Sequence, residues 1–218
     1  TLARALLGLT QPDSGSIRLG GQELVGLSES GWRAVRPDMQ MVFQDPAGSF
    51  NPRRTIGASL IAGSLALGVA KAEAEQRGHE LLQQVGLPTS AFALYPHEFS
   101  GGQRQRIAIA RALMLKPRVL VADECVSALD AVVQAQVLDL LESLQAQLGL
   151  ALVFITHDLS VAARISDRLL VMHQGRVVES GTTTDVLARP RHAYTCTLLA
   201  AYGETATART PLAIGATP

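Results

Sequence analysis

The sequence predicts an α/β fold, with a layered core, an inserted helical lobe and a short antiparallel β portion. Three observations carry it. The runs "RVLVADE" and "LALVFITH" are compact and largely apolar, as in strands buried on both faces, and a helical run from about Ala131 to Leu148 separates them. The stretch from about residue 56 to 99 lies between two predicted strands and is helical, so it reads as an insertion. Finally, "RLLVMHQGRVVESG" is a hairpin signal turning at Gln174 and Gly175. The expected organisation is one domain over 1–218: an α/β core over 1–55 and 103–201, a helical part over 56–102, and a loose tail over 202–218, where periodicity is absent.

The elements follow in order. "TLARALLGL" opens in an amphipathic helical pattern that stops near Gly8 to Thr10, and "GSIRLGG" alternates between glycines as a short half-exposed strand. "MQMVFQDP" supplies a strand from Met39 to Phe43 that ends at Gln44, with Pro46 preventing continuation. In "KAEAEQRGHELLQQVGL", Leu81, Leu82 and Val85 fall at helical spacing and Gly86 is the stop. "FSGGQRQRIAIARALMLKP" joins a glycine turn to a helix from about Gln103 to Leu115, closed by Pro117, and a short helix follows Asp158.

Composition narrows the function classes. Nineteen basic and nineteen acidic side chains cancel in 218 residues, and no arginine cluster forms a phosphate-tracking stripe, so no nucleic-acid partner is expected. Two cysteines, Cys125 and Cys196, suit a reducing compartment and build neither a disulfide framework nor a metal site. The longest uncharged stretch, Thr55 to Ala70, is shorter than the roughly 18 apolar residues of a membrane span.

Candidate chemistry collects at the strand ends, where open α/β sheets gather ligands. Asp123 and Glu124 emerge from a buried strand; one carboxylate suits a hydrated Mg²⁺ and the other an attacking water, while strand capping is the alternative. His157 and Asp158 end the next strand, where an imidazole could reach a terminal phosphate or merely cap a helix. Ser100, Gly101 and Gly102 precede a helix whose positive end and backbone donors suit phosphate oxygens, or form a simple turn. Gln44, just beyond its strand, could touch metal or water.

Taken together, "VFQDP", "FSGGQRQR", "VLVADE", "SALD" and "THD" stand in the order of the Q-loop, signature, Walker B, D-loop and switch histidine. The chain therefore resembles the nucleotide-binding subunit of an ATP-binding cassette (ABC) transporter, up to about Ala201. The resemblance implies a P-loop NTPase-like ABC ATPase core that uses ATP and Mg²⁺. Its implied site has Glu124 as general base, His157 as switch residue and Gln44 as Q-loop glutamine. Ser100, Gly101, Gly102 and Gln103 would form the signature, Asp130 the D-loop acid, and Asp123, with Gln44, the metal-associated position. Phe99 replaces the signature's commoner leucine, and Cys125 stands where the family more often has proline or alanine.

"QMVFQDPAGSFNPR" and "RPRHAYTCTLLAA" resemble the dipeptide, oligopeptide and nickel importer branch, with Ala193 where that branch usually has proline. The implied partners are a second nucleotide-binding subunit (in a homo- or heterodimer), transmembrane permease subunits and a solute-binding protein. The implied place is peripheral, at the cytoplasmic face of the inner (plasma) membrane. "TIGASLIAGSLALGVA" would either dock permease coupling helices or simply pack in the lobe. In the family "TLARALLGL" follows the glycine-rich phosphate loop, and no G-x-x-x-x-G-K-[ST] occurs here. The expectation is thus a cassette lacking its N-terminal part, including the Walker A loop and the adenine-stacking strand, with ATP hydrolysis in the complete parent and none in this piece. Alternative readings are a non-transport ABC ATPase of DNA maintenance or translation, or a nonhydrolytic binding module. A DNA-maintenance relative predicts a long heptad-bearing insertion between Gln44 and Ser100, and no sustained heptads occur there, while a translation relative would usually have two cassettes in one polypeptide.

Overall fold

The computed structural model describes residues 1–45 and 48–208, with side chains through 201. The chain divides into two compact units, Thr1–Ile155 and Thr156–Pro218.

The first unit opens with α1 (Leu2–Leu6), which ends before Gly8 at φ +66°. A β-carbon on Gly8 would lie 2.3 Å from the Trp32 ring, so only glycine fits under that indole. The expected strand in "GSIRLGG" is shorter than predicted. β1 covers Arg18–Leu19 and turns through Gly20 and Gly21, both at positive φ, into β2, Gln22–Glu23. Paired left-handed residues give the tight hairpin turn whose twist matches two antiparallel strands. After α2 (Glu29–Val35), capped by Ser28, comes β3 (Met39–Val42). Leu7, Leu24, Val35 and Met39 make a small core beneath these elements.

Next come α3 (Ile56–Ala66) and α4 (Lys71–Gln84), which form the expected helical stretch. They approach around Phe92, whose ring meets an ideal β-carbon at 2.1 Å from Gly57 and 2.8 Å from Gly78. On α3, Ile56, Leu60 and Ile61 are buried, while Leu65 and, just beyond the helix, Leu67 stay exposed.

Then follow α5 (Gly101–Leu113), β4 (Val119–Asp123), α6 (Ala131–Leu148) and β5 (Ala151–Ile155). β3, β4 and β5 form a parallel sheet in the order β3-β4-β5. The central strand β4 buries Leu120, Val121 and Ala122, which accounts for its unbroken apolar run. α6 starts at Asp130, whose carboxylate accepts from the Val132 and Val133 amides, and stops at Gly149 at φ +64°.

The second unit contains α7 (Leu159–Ile165), the antiparallel pair β6 (Arg168–His173) and β7 (Arg176–Thr182), α8 (Thr183–Ala188) and α9 (Ala193–Ala208). The hairpin turns at Gln174 and Gly175 as expected, both at positive φ. The backbone is helical to Ala208, past the expected start of a loose tail at 202, and 209–218 lie outside the described residues. Among the described residues, no helix is long and apolar enough to cross a membrane.

Candidate functional site

The parallel register decides which strand-end residues meet. Val42 of β3 lies opposite Ala122 of β4, so two residues further on Gln44 comes opposite Glu124. The side chains do meet: the Gln44 Nε2 donates to Glu124 Oε2 at 2.9 Å. The amide N–H is a donor, so this bond orients the carboxylate through one of its accepting oxygens. Asp123, the last residue of β4, is half-buried beside it.

Glu124 has a backbone φ of +48°, in the left-handed region. For a residue with a β-carbon this conformation costs on the order of 1–3 kcal/mol, and it persists only where the surroundings fix it. Here the Glu124 N–H donates to the Ile155 carbonyl at 2.9 Å, tying the residue to the end of β5. The Glu124 carbonyl in turn accepts from the Ser127 N–H at 3.2 Å and the Ser127 hydroxyl at 2.9 Å. The neighbouring Cys125 is buried, and burial pushes its thiol up to about 12, with the Asp123 charge adding to the shift. It stays a protonated packing residue and takes the place of the family's proline or alanine without reactive chemistry.

The four signature positions divide in two. Ser100 and Gln103 form a reciprocal capping box: the Ser100 hydroxyl accepts from the Gln103 N–H, and the Gln103 side chain accepts from the Ser100 N–H. Gly101 is exposed, with only Leu129 nearby at 4.0 Å from an ideal β-carbon. Gly102 is buried, and its β-carbon would sit 2.3 Å from Val133 Cγ1 on α6. Gly102 therefore serves the close approach of α5 to α6, while Gly101 remains open to a ligand.

Asp130 spends one carboxylate oxygen on capping α6. In the second unit, His157 is exposed on the loop after Thr156. The Thr156 hydroxyl accepts from the Asp158 N–H at 3.0 Å, and the Asp158 carboxylate caps α7 through Ser160 and Val161. Burial works against that carboxylate, but the Ser160 and Val161 hydrogen bonds and the His157 charge outweigh it and hold Asp158 below the usual range.

Two residues with structural importance here escaped the sequence reading. Ser127 lies inside "SALD" without a role of its own, and Arg111 follows the signature by eight positions in the helix. Arg111 lies with its guanidinium carbon 4.5 Å from the Phe50 ring centroid and donates to the Ser49 carbonyl, pinning the chain that follows Gln44 to α5. An open groove of about 390 Å³ lies alongside, lined among others by Gln40, Ser49, Arg54, Ser59, Arg111 and Met114. Among the described residues no three His, Cys, Asp or Glu side chains converge as a metal cluster. A hard cation on Asp123 would complete its shell with water and ligand oxygens, a coordination that suits Mg²⁺.

Comparison with known proteins supplies the family. The ABC transporter family matches residues 1–127. The oligopeptide transport ATP-binding protein OppF of Escherichia coli is 49% identical over 204 residues, covering 92% of this chain and 61% of OppF. A putative peptide import ATP-binding protein of Brucella abortus is 48% identical over 202 residues, covering 92% of this chain and 64% of that protein. The glutathione import ATP-binding protein GsiA of Pectobacterium atrosepticum is 47% identical over 202 residues, covering 92% of this chain and 32% of GsiA. The chain thus spans less than two thirds of the length of these relatives. Among solved structures, the ATP-binding cassette MJ0796, in a dimeric post-hydrolysis state bound to ADP and Pi, matches with a TM-score of 0.73 at 26% identity, covering 84% of this chain and 79% of that chain.

The match corrects one expectation. The family match covers residues 1–127 of this chain, with 18–40 inside it, so its N-terminal residues are themselves matched cassette sequence, against the expectation that this part is missing. That expectation rested on the place of "TLARALLGL" in the family, on the missing glycine-lysine pattern and on the missing adenine-stacking strand, whereas the family match extends along the residues from 1 onward. The expected α/β, P-loop NTPase-like core, with its helical part and antiparallel β portion, is the fold this chain shares with MJ0796. By motif order, fold and family match together, the chain belongs to the ABC transporter family.

Proposed function

We propose that the whole protein binds and hydrolyses ATP and thereby energises import of a small solute across a membrane. The observation that carries this reading is the Gln44–Glu124 pair, set at the ends of adjacent parallel strands in a chain of the ABC transporter family. Glu124 acts as general base toward the attacking water, with Gln44 donating to its carboxylate and adjoining the metal position. Asp123 would hold Mg²⁺ through water, and the ion would supply positive charge to neutralise the phosphate oxygens. His157 donates to the terminal phosphate. Ser100, Gly101 and Gln103 address nucleotide held by an opposing cassette, Gly102 keeps α5 against α6, and Asp130 communicates across that dimer. The dimeric, ADP- and Pi-bound state of MJ0796 supports this arrangement.

Peptide is the favoured solute class over nickel, since OppF, the Brucella protein and GsiA are named for oligopeptide, peptide and glutathione transport. The other subunits are permease and solute-binding proteins, with this subunit peripheral at the cytoplasmic face of the inner membrane. The groove beside Arg111 and α3 is the surface offered to the permease.

The test is steady-state phosphate release from Mg-ATP by the assembled whole protein. Glu124→Gln keeps nucleotide binding and lowers turnover by about 10²–10⁴-fold, the ordinary worth of a positioned base. Turnover near the parental rate in that variant would falsify the role of Glu124.

A further inference from the structure

The catalytic carboxylate proposed above belongs to a residue whose backbone is held in an unfavourable conformation. Among the described residues, three without glycine's freedom have positive φ: Lys116, Glu124 and Gln174. Lys116 leads into Pro117, and Gln174 shares the β6–β7 turn with Gly175. Glu124 lies on no such turn between paired strands; it is the residue that leaves β4, and its conformation sets where its side chain points.

Two sets of bonds fix it. On the N-terminal side the peptide N–H is anchored to Ile155. On the C-terminal side the carbonyl accepts two donors, and both come from Ser127: the backbone N–H at 3.2 Å and the hydroxyl at 2.9 Å. A carbonyl oxygen has two lone pairs, so both bonds form together and leave its peptide plane little freedom to rotate. The N–H bond is available to any residue at 127. The hydroxyl bond is not. Ser127 is exposed, so its side chain contributes little to the core, and the Glu124 carbonyl is its hydrogen-bond partner in the structure.

We infer that Ser127 is a positioning residue for Glu124: its hydroxyl locks the Glu124 peptide in the left-handed conformation that delivers the carboxylate to Gln44. The inference rests on the assignment of Glu124 as base. It extends that assignment to a residue that acts through the backbone of Glu124.

The experiment compares Ser127→Ala and Ser127→Thr in the whole protein, with two readouts. Amide hydrogen exchange at Glu124 and Ser127, without nucleotide, reports the lock itself. Ser127→Ala speeds exchange by about tenfold, as expected for losing one net hydrogen bond, while Ser127→Thr retains the parental rate. Steady-state kinetics with Mg-ATP report the consequence: kcat falls by about tenfold in Ser127→Ala with KM unchanged, and threonine restores it. In a Glu124→Gly background the left-handed conformation is free of strain, so Ser127→Ala leaves exchange at residue 124 unaltered. Unchanged exchange in Ser127→Ala, or a raised KM with kcat intact, overturns the inference. A parental protein that releases no phosphate refutes the ATPase reading, and the exchange comparison then decides the role of Ser127 by itself.

Discussion

Arg111 stacks its guanidinium on the Phe50 ring, 4.5 Å from the centroid, and donates at the same time to the Ser49 carbonyl. Burial lowers the pKa of this arginine, so the ring face and the carbonyl offset the cost of its desolvation. The contact fastens the segment after Gln44 to the helix that begins at the signature. Arg111→Ala lowers unfolding free energy by about 2–4 kcal/mol, the combined worth of a buried cation–π contact and a charged hydrogen bond. Lysine recovers only part of this, because an ammonium cannot stack flat while reaching the carbonyl. Urea unfolding of the three proteins measures the order; equal midpoints for arginine and alanine would contradict it.

Gln44→Glu sets a second carboxylate against Glu124, where an amide donor lies at 2.9 Å. Two carboxylates at that separation cannot both ionise freely, and the pKa of the pair is forced upward. The expected outcome is an acid limb of the pH–rate profile displaced to higher pH. Profiles for parent and variant that superimpose would mean that the two side chains part before the chemical step.

The adjacent glycines of the signature respond differently to alanine. At Gly102 the new methyl lies 2.3 Å from Val133 Cγ1, so α5 and α6 must move apart at a cost of about 1–3 kcal/mol. At Gly101 the space is open, and alanine changes stability by less than about 0.5 kcal/mol. Any loss of ATP turnover in Gly101→Ala then reports ligand contact and not packing. Denaturant midpoints alongside turnover separate the two.

Glu23 gives the β1–β2 hairpin a pH dependence. Its carboxylate accepts from the Ser16 hydroxyl and the Ile17 and Val25 amides, with Arg18 adding, and these bonds lower its pKa to about 2 from 4.5. A lowered pKa means that the stabilisation is full above about 4.5 and disappears as pH falls towards 2. Glu23→Gln removes that dependence. Carbon-detected titration of the Glu23 carboxyl reads it, and a midpoint at the ordinary glutamate value would count against it.

Much of this architecture was legible because the chain marks its own boundaries. α6 starts at Asp130 and stops at Gly149, a side-chain cap and a left-handed stop that can be read directly. β4 was legible from an apolar run with no alternation. The alternation of "GSIRLGG" marked β1, but its partner β2 was not legible, since Gln22–Glu23 is too short to show a period. Strand ends could be located in the sequence, but the meeting of Gln44 with Glu124 could not, because it depends on the register of Val42 opposite Ala122. The signature glycines looked equivalent, and only the packing of α6 on α5 distinguishes them. The left-handed Glu124 gave no signal at all, because its partners, the Ile155 carbonyl and the Ser127 N–H and hydroxyl, hold backbone groups of Glu124 that any residue at 124 would carry.

The placement of Phe92 between Gly57 and Gly78 limits how the helical part of this protein can be improved by engineering. Replacing helical glycines with alanine is a common route to stabilisation, worth up to about 1 kcal/mol per site. At Gly57 and Gly78 the route is closed, since each added methyl would enter the space of one aromatic ring, whereas at Gly63 of α3 a methyl meets only Leu115 at 3.7 Å. The gap between α3 and α4 is in effect gauged by the thickness of that ring. Using the two sites at the ring would mean changing three positions together, alanine at 57 and 78 with a thinner aliphatic at 92, and single-site screens would discard each step before the combination was reached.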